Sequence, residues 1–305
     1  MARIAYLVLA HDNPRHLGRL IERLSSPSAV CFIHVDRKSS ADAFAHIGGG
    51  NVHFTRRRVA VHWGDFSIVE ATLLLMRAAL AHESRPSRFV LISGADYPLR
   101  SPDYIEEFFD RHGDDEFMHL VPMPSAQEGK PISRLTAYKA RPGVAKINGL
   151  VRNALVRVGV VSRERDYRAH LRDLAPYGGS AWWALSREAC EHVVRFCDRE
   201  RRVVRFFKHT HAPDETLFHT ILGNSAFRHR VRREVTYADW TAGGPSPAPI
   251  SEHHLERFRS ARSIRAGSAS DGVEALFARK FSDESTEIAE RLRQLIDGRE
   301  ARTAK

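Results

Sequence analysis

Two neighbouring acids after a proline are the residues of this chain best placed to move a proton. Asp214 and Glu215 follow Pro213, which suits the first turn of a helix, where the helix dipole also stabilises acids. Adjacent residues on a helix project in different directions, so one acid could cap the helix while the other faces a cleft. A carboxylate held there could take a proton from a hydroxyl group. The pattern also fits the plain first turn of a helix, and the sequence leaves both interpretations open.

Further polar residues follow apolar runs of the sequence. His11, Asp36 and Asp96 come at or just after the ends of runs that cover residues 3–10, 30–35 and 89–93. Ligands of an open parallel sheet bind at the carboxyl ends of its strands, so these residues predict a nucleotide-sugar site. There Asp36 could accept hydrogen bonds from a uracil or a ribose. The alternatives are a turn cap for Asp36 and a turn acid for Asp96.

A run of cations and aromatic residues at 276–281 contains Lys280. The chain has no glycine-rich dinucleotide fingerprint, no P-loop and no Asp-x-Asp metal handle. A diphosphate leaving group gains negative charge in the transition state, and without a metal Lys and Arg must balance it. We therefore expect Lys280 to act with Arg257, Arg259 or Arg262. Taken alone, the run also fits a solvated basic edge or a nucleic-acid contact.

The elements that must position these residues alternate between strands and helices as far as residue 111, which predicts an α/β fold with a parallel sheet. Residues 120–180 lose this rhythm, and we expect a long, partly irregular insertion there. Order returns with a strand at 179–185 and helices at about 187–199 and 213–222. From Glu284 the chain predicts a helix with an apolar stripe, either exposed or docked on the domain.

Composition narrows the class of protein. The 305 residues carry a formal charge of +10, which admits nucleic acid, an anionic membrane surface or a phosphorylated small molecule as a partner. The sequence contains no run of about 18 apolar residues, so it predicts no membrane-spanning helix. Three cysteines without a paired pattern suit a reducing compartment, so we expect a cytoplasmic protein, with peripheral membrane contact as an option. A basic nucleic-acid-binding protein is the alternative, although no nucleic-acid motif supports it.

Seven segments, in this order, resemble the core-2/I-branching β-1,6-N-acetylglucosaminyltransferases and the related peptide O-xylosyltransferases. The segments are residues 32–39, 61–64, 91–99, 179–187, 212–218, 237–240 and 276–281. The resemblance runs from about residue 3 to residue 281. It implies a GT-A-like Rossmann-type fold, an inverting mechanism, a UDP-sugar donor and no required metal or other cofactor.

The resemblance also implies roles for particular residues. Glu215 matches the catalytic base, Asp36 the acid that binds the uridine, and Lys280 the lysine that contacts the diphosphate. The partner arginine is then Arg257 or Arg259.

Other matched positions lie around the sugars. Asp96 and Tyr97 match a segment beside the donor sugar, with Tyr97 also a candidate acceptor contact, and Trp240 matches an aromatic position near the acceptor. Trp182 is a further candidate for stacking on a sugar, and His11 is a candidate for the donor site.

The expected protein is one glycosyltransferase domain over residues 1–283, with an acceptor-side insertion at 120–178 and a helix and tail at 284–305. UDP-N-acetylglucosamine is the expected donor and UDP-xylose the alternative. The insertion matches the family poorly, so a glycan, a lipid-linked molecule and a small molecule all stay open as acceptors. No nucleic-acid partner is expected.

Overall fold

The computed structural model describes residues 3–141, 150–151, 154–157, 164–244, 246–261, 263–266 and 272–303. The strands in these ranges are β1 (Ile4–Ala10), β2 (Ala29–Val35), β3 (Val52–Phe54), β4 (Arg88–Ser93), β5 (Asp96–Pro98), β6 (Glu116–Met118), β7 (Val121–Pro122), β8 (Tyr177–Gly178), β9 (Trp183–Ser186), β10 (Val231–Arg232), β11 (Thr236–Ala238) and β12 (Phe277–Arg279).

The central sheet of the described residues has seven strands in the order β10-β6-β9-β4-β1-β2-β3. β3, β2, β1 and β4 run parallel, whereas β9 is antiparallel to both of its neighbours, β4 and β6. This mostly parallel sheet confirms the predicted α/β class. Ala10 lies opposite Val35, and Leu9 lies opposite Ser93. The carboxyl ends of β1, β2 and β4 are therefore level, and the residues that follow them meet at one edge.

Helices cover both faces of this sheet. In the described ranges they are Pro14–Leu24, Ser67–Leu80, Pro102–Arg111, Ser133–Thr136, Tyr167–Leu171, Arg187–Arg199, Arg201–Phe207, Leu217–Gly223, Glu252–Ser260 and Thr286–Thr303. Serine side chains cap two of the starts, since Ser101 accepts a hydrogen bond from Tyr104 N and Ser186 accepts one from Ala189 N. None of the helices in the described part of the chain is long and apolar enough to cross a membrane.

Successive residues of a strand point to opposite faces, and β1 supplies both layers of the core. Ala5 and Leu7 join the cluster under the helices Ser67–Leu80 and Arg187–Arg199. Tyr6 and Val8 join the cluster on the other face, under the helix Pro14–Leu24. All four of these residues are at most 1% exposed. The continuous apolar run is thus explained by a strand that is buried on both sides.

A second, three-stranded sheet in the order β11-β12-β5 extends the fold beside the central sheet. It forms a third apolar cluster with the helices Glu252–Ser260 and Thr286–Thr303. Leu292 and Ile296 of the last helix are 1% and 3% exposed in that cluster, which also contains Phe258 and Phe281. The sequence left open whether the helix from residue 284 is exposed or docked on the domain, and in the structure it is docked.

Two predicted segments differ in detail from the structure. The predicted helix at 213–222 is interrupted: Pro213–Glu215 is a single 3-10 turn, and the helix Leu217–Gly223 follows Thr216, whose φ of −138° is not helical. In the predicted insertion, the described residues form the β7–β8 pair and the short helices Ser133–Thr136 and Tyr167–Leu171. Residues 142–149, 152–153 and 158–163 of this segment lie outside the described residues.

The docked helix should contribute to the stability of the whole domain. Leu292→Ala removes a side chain that is 1% exposed, so we expect the free energy of unfolding to fall by about 2–5 kcal/mol. Gln294→Ala, on the exposed side of the same helix, is the matched control and should change it by less than about 0.5 kcal/mol. Denaturant unfolding measures both variants, and equal effects would contradict the docking.

Candidate active site

The carboxylate of Glu215 is held between two cations. Glu215 ends the Pro213–Glu215 turn, and its Oε2 accepts hydrogen bonds from Lys130 Nζ at 2.7 Å and from an Arg134 guanidinium nitrogen at 2.6 Å. The Glu215 side chain is 29% exposed, so it is mostly buried yet reachable from solvent. The sequence prediction that one of the two acids reaches a cleft is thus consistent with its position.

The two adjacent carboxyl groups have opposite pKa shifts. Burial raises the pKa of Glu215, whereas the charges and hydrogen bonds of Lys130 and Arg134 lower it. The lowering is the larger effect, so the pKa of Glu215 lies below its ordinary value. Burial, and then the charge of Glu215, raise the pKa of Asp214 to about 7, and Asp214 Oδ1 is buried without a hydrogen-bond partner among the described residues. At neutral pH Glu215 is therefore ionised, whereas Asp214 is partly protonated.

Lys130 also fixes the loop before β9. Lys130 Nζ also donates to Gly179 O at 2.7 Å, and Gly179 N donates to Glu215 O at 3.0 Å. Buried His219 donates from Nε2 to Ser180 O at 2.9 Å. Burial lowers the pKa of His219 to about 3, so its ring is neutral. Lys130, Gly179 and Glu215 thus form one hydrogen-bonded unit.

Sequence reasoning missed Lys130 and Arg134, since both lie in the stretch treated as a poorly matching insertion. A weak signal was present: the two cations are four residues apart, a spacing that places side chains on one face of a helical turn. Arg134 belongs to the helix Ser133–Thr136, and Lys130 precedes that helix. Nothing in the spacing indicates a partner 81 or 85 residues further along the chain.

One series of contacts leads from Glu215 to Asp36. Ala212 N donates to Gly64 O at 3.0 Å, and the ring of Trp63 meets the ring of His211 edge-on at 5.6 Å between centroids. On the far side of Trp63, Val61 N donates to Asp36 Oδ1 at 3.3 Å. The segment 61–64 therefore spans from the carboxyl end of β2 to the turn that holds Glu215.

Asp36 itself is 4% exposed and also accepts a hydrogen bond from Lys38 N at 2.8 Å. Lys38 Nζ lies 3.0 Å from Asp36 Oδ2. Burial opposes ionisation, but these contacts with Lys38 lower the pKa of Asp36 below its ordinary value. This is the turn-cap alternative, and uridine binding by Asp36 stays a prediction. His11 is exposed, and its carbonyl accepts a hydrogen bond from Ser39, so it lies beside the Asp36 turn.

A second series of contacts leads from Glu215 to Lys280. The loop that holds Gly179 continues to Trp182, whose ring lies 4.2 Å from the Arg279 guanidinium. Lys280 follows Arg279 directly, and Lys280 Nζ lies 3.4 Å from Ser246 Oγ. Trp182 therefore packs on Arg279, the neighbour in sequence of the predicted diphosphate ligand Lys280. Its half-buried ring is occupied by Arg279, and acceptor stacking by Trp182 stays a prediction.

Asp96 and Tyr97 lie inside the fold. Asp96 is 0% exposed, its carboxylate accepts hydrogen bonds from Ser93 N and Ser93 Oγ, and Arg279 Nε lies 3.5 Å from it. Burial raises the pKa of Asp96. Tyr97 is 3% exposed and packs on Phe281. Both residues are buried in this structure, and their places beside the donor sugar stay predictions.

The remaining predicted residues surround β11 and its following loop. The Arg257 guanidinium lies 3.3 Å from the Tyr237 hydroxyl, and the Arg259 side chain is exposed. Arg262 lies outside the described residues. Trp240 is 56% exposed, which leaves its ring accessible. Among the described residues, no three His, Cys, Asp or Glu side chains are grouped as metal ligands.

This chain is similar to known proteins over most of its length. The family model described as "Core-2/I-Branching enzyme" matches residues 4–261. Xylosyltransferase 1 from Canis lupus familiaris is 30% identical over 231 residues, which cover 73% of this chain and 22% of that protein. Xylosyltransferase 2 from Rattus norvegicus is 27% identical over 250 residues, which cover 79% of this chain and 27% of that protein.

The family model covers most of this chain, as the resemblance of the seven segments implied. The chain belongs to the Core-2/I-branching enzyme family. Its matched region spans about a quarter of the length of these relatives. Among solved structures, 4-diphosphocytidyl-2C-methyl-D-erythritol synthase matches with a TM-score of 0.33 and 8% identity, covering 67% of this chain and 85% of that one.

Position 179 should tolerate no side chain, because the Gly179 backbone lies close to His119, the residue after β6. A Cβ on Gly179 would lie 1.6 Å from His119 O, so Gly179→Ala must displace the loop that holds Lys130 and Glu215. We expect a loss of about 1–3 kcal/mol in the free energy of unfolding or a failure to fold. Gly113→Ala is the control: its nearest atom would be 3.7 Å away, and stability should hold. Thermal unfolding of both variants checks this, and a fully stable Gly179→Ala protein would contradict it.

Proposed function

We propose that this chain is an inverting glycosyltransferase that moves a sugar from a UDP-sugar to an acceptor hydroxyl, with Glu215 as the general base. The observation that carries the proposal is the Glu215 carboxylate, ionised between Lys130 and Arg134 where the two series of contacts meet. One series begins at Asp36, the expected uridine ligand, and the other at Lys280, the expected diphosphate ligand. A donor between them would present its sugar near Glu215.

The proposed reaction is a single displacement. Glu215 accepts the proton of the acceptor hydroxyl while that oxygen attacks the anomeric carbon from the face opposite UDP. The new carbon–oxygen bond forms as the bond to the diphosphate oxygen breaks, and UDP leaves with that electron pair. Lys280, together with Arg257 or Arg259, balances the charge that develops on the diphosphate. With these cations in place, the proposed reaction needs no metal.

The donor sugar is proposed from the relatives. UDP-xylose is the first candidate, because the similar proteins in dog and rat are named xylosyltransferases. UDP-N-acetylglucosamine, the donor expected from the sequence, is the second candidate, and the match to the Core-2/I-branching model keeps it in consideration. The acceptor is a glycan, a lipid-linked molecule or a small molecule, and exposed Trp240 offers it an aromatic surface.

Donor turnover separates the roles of the two adjacent acids. UDP release from UDP-xylose and from UDP-N-acetylglucosamine is measured with EDTA and with Mn²⁺, using water or added sugars as acceptors. We expect Glu215→Gln to lower kcat about 10²–10⁴-fold while the Kd for the donor stays unchanged, since a base acts only in the chemical step.

Asp214→Asn is the matched control and should retain most of the activity. The proposal fails if Glu215→Gln keeps near-normal turnover, or if the loss falls on Asp214→Asn instead. A strict requirement for Mn²⁺ would contradict the role given to Lys280 and its partner arginine.

A further inference from the structure

Two cavities lie side by side near β3, at the edge of the central sheet, and Arg57 lines both of them. Their volumes are about 270 Å³ and 280 Å³. Among the described residues that line them, none is Glu215, Asp36 or Lys280. One of the two cavities borders the Asp36 turn, because Arg37 follows Asp36 directly and the Arg58 guanidinium donates to Asp36 O.

The first cavity is basic. Its lining has four arginines and two carboxylates, and these are Arg37, Arg57, Arg58, Arg141, Asp65 and Glu70. The Arg141 guanidinium lies 3.8 Å from the Asp65 carboxylate and 3.2 Å from the Glu70 carboxylate. The Arg58 guanidinium donates to the backbone carbonyls of Val35 and Asp36.

Arg37 and Arg57 are exposed and have no ion-pair partner within the part of the chain that the structure describes. The cavity therefore has an excess of positive charge and free guanidinium donors, which suit a phosphate.

The second cavity is lined by four apolar residues and by His53, Thr55, Arg56 and Arg57. Phe32, Leu74 and Ala78 form much of its wall, and Phe54 is 40% exposed beside it. An apolar cavity of about 150 Å³ can hold benzene, so 280 Å³ has room for a short alkyl or isoprenyl chain. Within the described residues, the buried His53 Nε2 of this wall has no hydrogen-bond partner.

We propose that this pair of cavities binds an anionic amphiphile, with its phosphate on Arg37 and Arg57 and its hydrocarbon chain against Phe32 and Leu74. The two parts of the ligand match the two linings, and Arg57 lies where they join. Burial of the chain adds to the affinity in proportion to its apolar area. This site goes beyond the proposed sugar transfer and holds whether or not Glu215 is the base.

Calorimetric titration with monomeric decyl phosphate tests the proposal, with inorganic phosphate and decanol as the two half-ligands. We expect decyl phosphate to bind at least about tenfold more tightly than either half-ligand, because only it fills both cavities. Arg57→Ala should weaken the binding of decyl phosphate about tenfold or more. Phe54→Ser should weaken the binding of decyl phosphate but not of inorganic phosphate.

Arg202→Ala removes the same charge from an exposed position of the helix Arg201–Phe207 and is the matched control, which should leave binding unchanged. Thermal unfolding of each variant verifies its fold. Absence of binding, equal binding of decyl and inorganic phosphate, or an equal loss in Arg202→Ala overturns the proposal. Displacement of decyl phosphate by UDP would also overturn it, since the site would then belong to the donor.

Discussion

The ion pairs of Glu215 with Lys130 and Arg134 are the interaction on which the site depends. A carboxylate that is 29% exposed loses much of its hydration, and on its own its pKa would rise. Lys130 and Arg134, whose side chains are 11% and 20% exposed, reverse that shift. Loss of Lys130 or Arg134 would leave the negative charge of Glu215 poorly compensated in a largely buried place. The three residues therefore form a unit.

This unit joins parts of the chain that are far apart in sequence. Lys130 holds Gly179, Gly179 holds the backbone of Glu215, and the loop after Gly179 reaches Arg279 through Trp182. The absence of a side chain at Gly179 is what permits the contact with His119 O. Around this frame the level carboxyl ends of β1 and β2 place the Asp36 turn. The geometry of the site thus follows from a few close backbone contacts and one charged cluster.

The sequence predicts the elements and turns that depend on a local pattern of residues. It does not predict the contacts between residues that are far apart in the chain. The buried runs of β1, β2 and β4, and the turn acids after Pro213, carry their own signals of periodicity and type. The role of Lys130 does not, because its partner is 85 residues away. The burial of Tyr97 does not either, because β5 pairs with β12 about 180 residues further on and its ring packs on Phe281. Neither contact has a local signature.

The ionisation of Glu215 is the most direct measure of the central claim that Lys130 and Arg134 keep this carboxylate charged. Carboxyl-labelled glutamate gives a ¹³C resonance for Glu215, assigned by its absence from Glu215→Gln. We predict no titration of this resonance between about pH 5 and pH 8 in the unaltered protein, and an upward shift of its pKa in Lys130→Met. A midpoint inside that interval in the unaltered protein, or an unchanged pKa in Lys130→Met, would contradict the account.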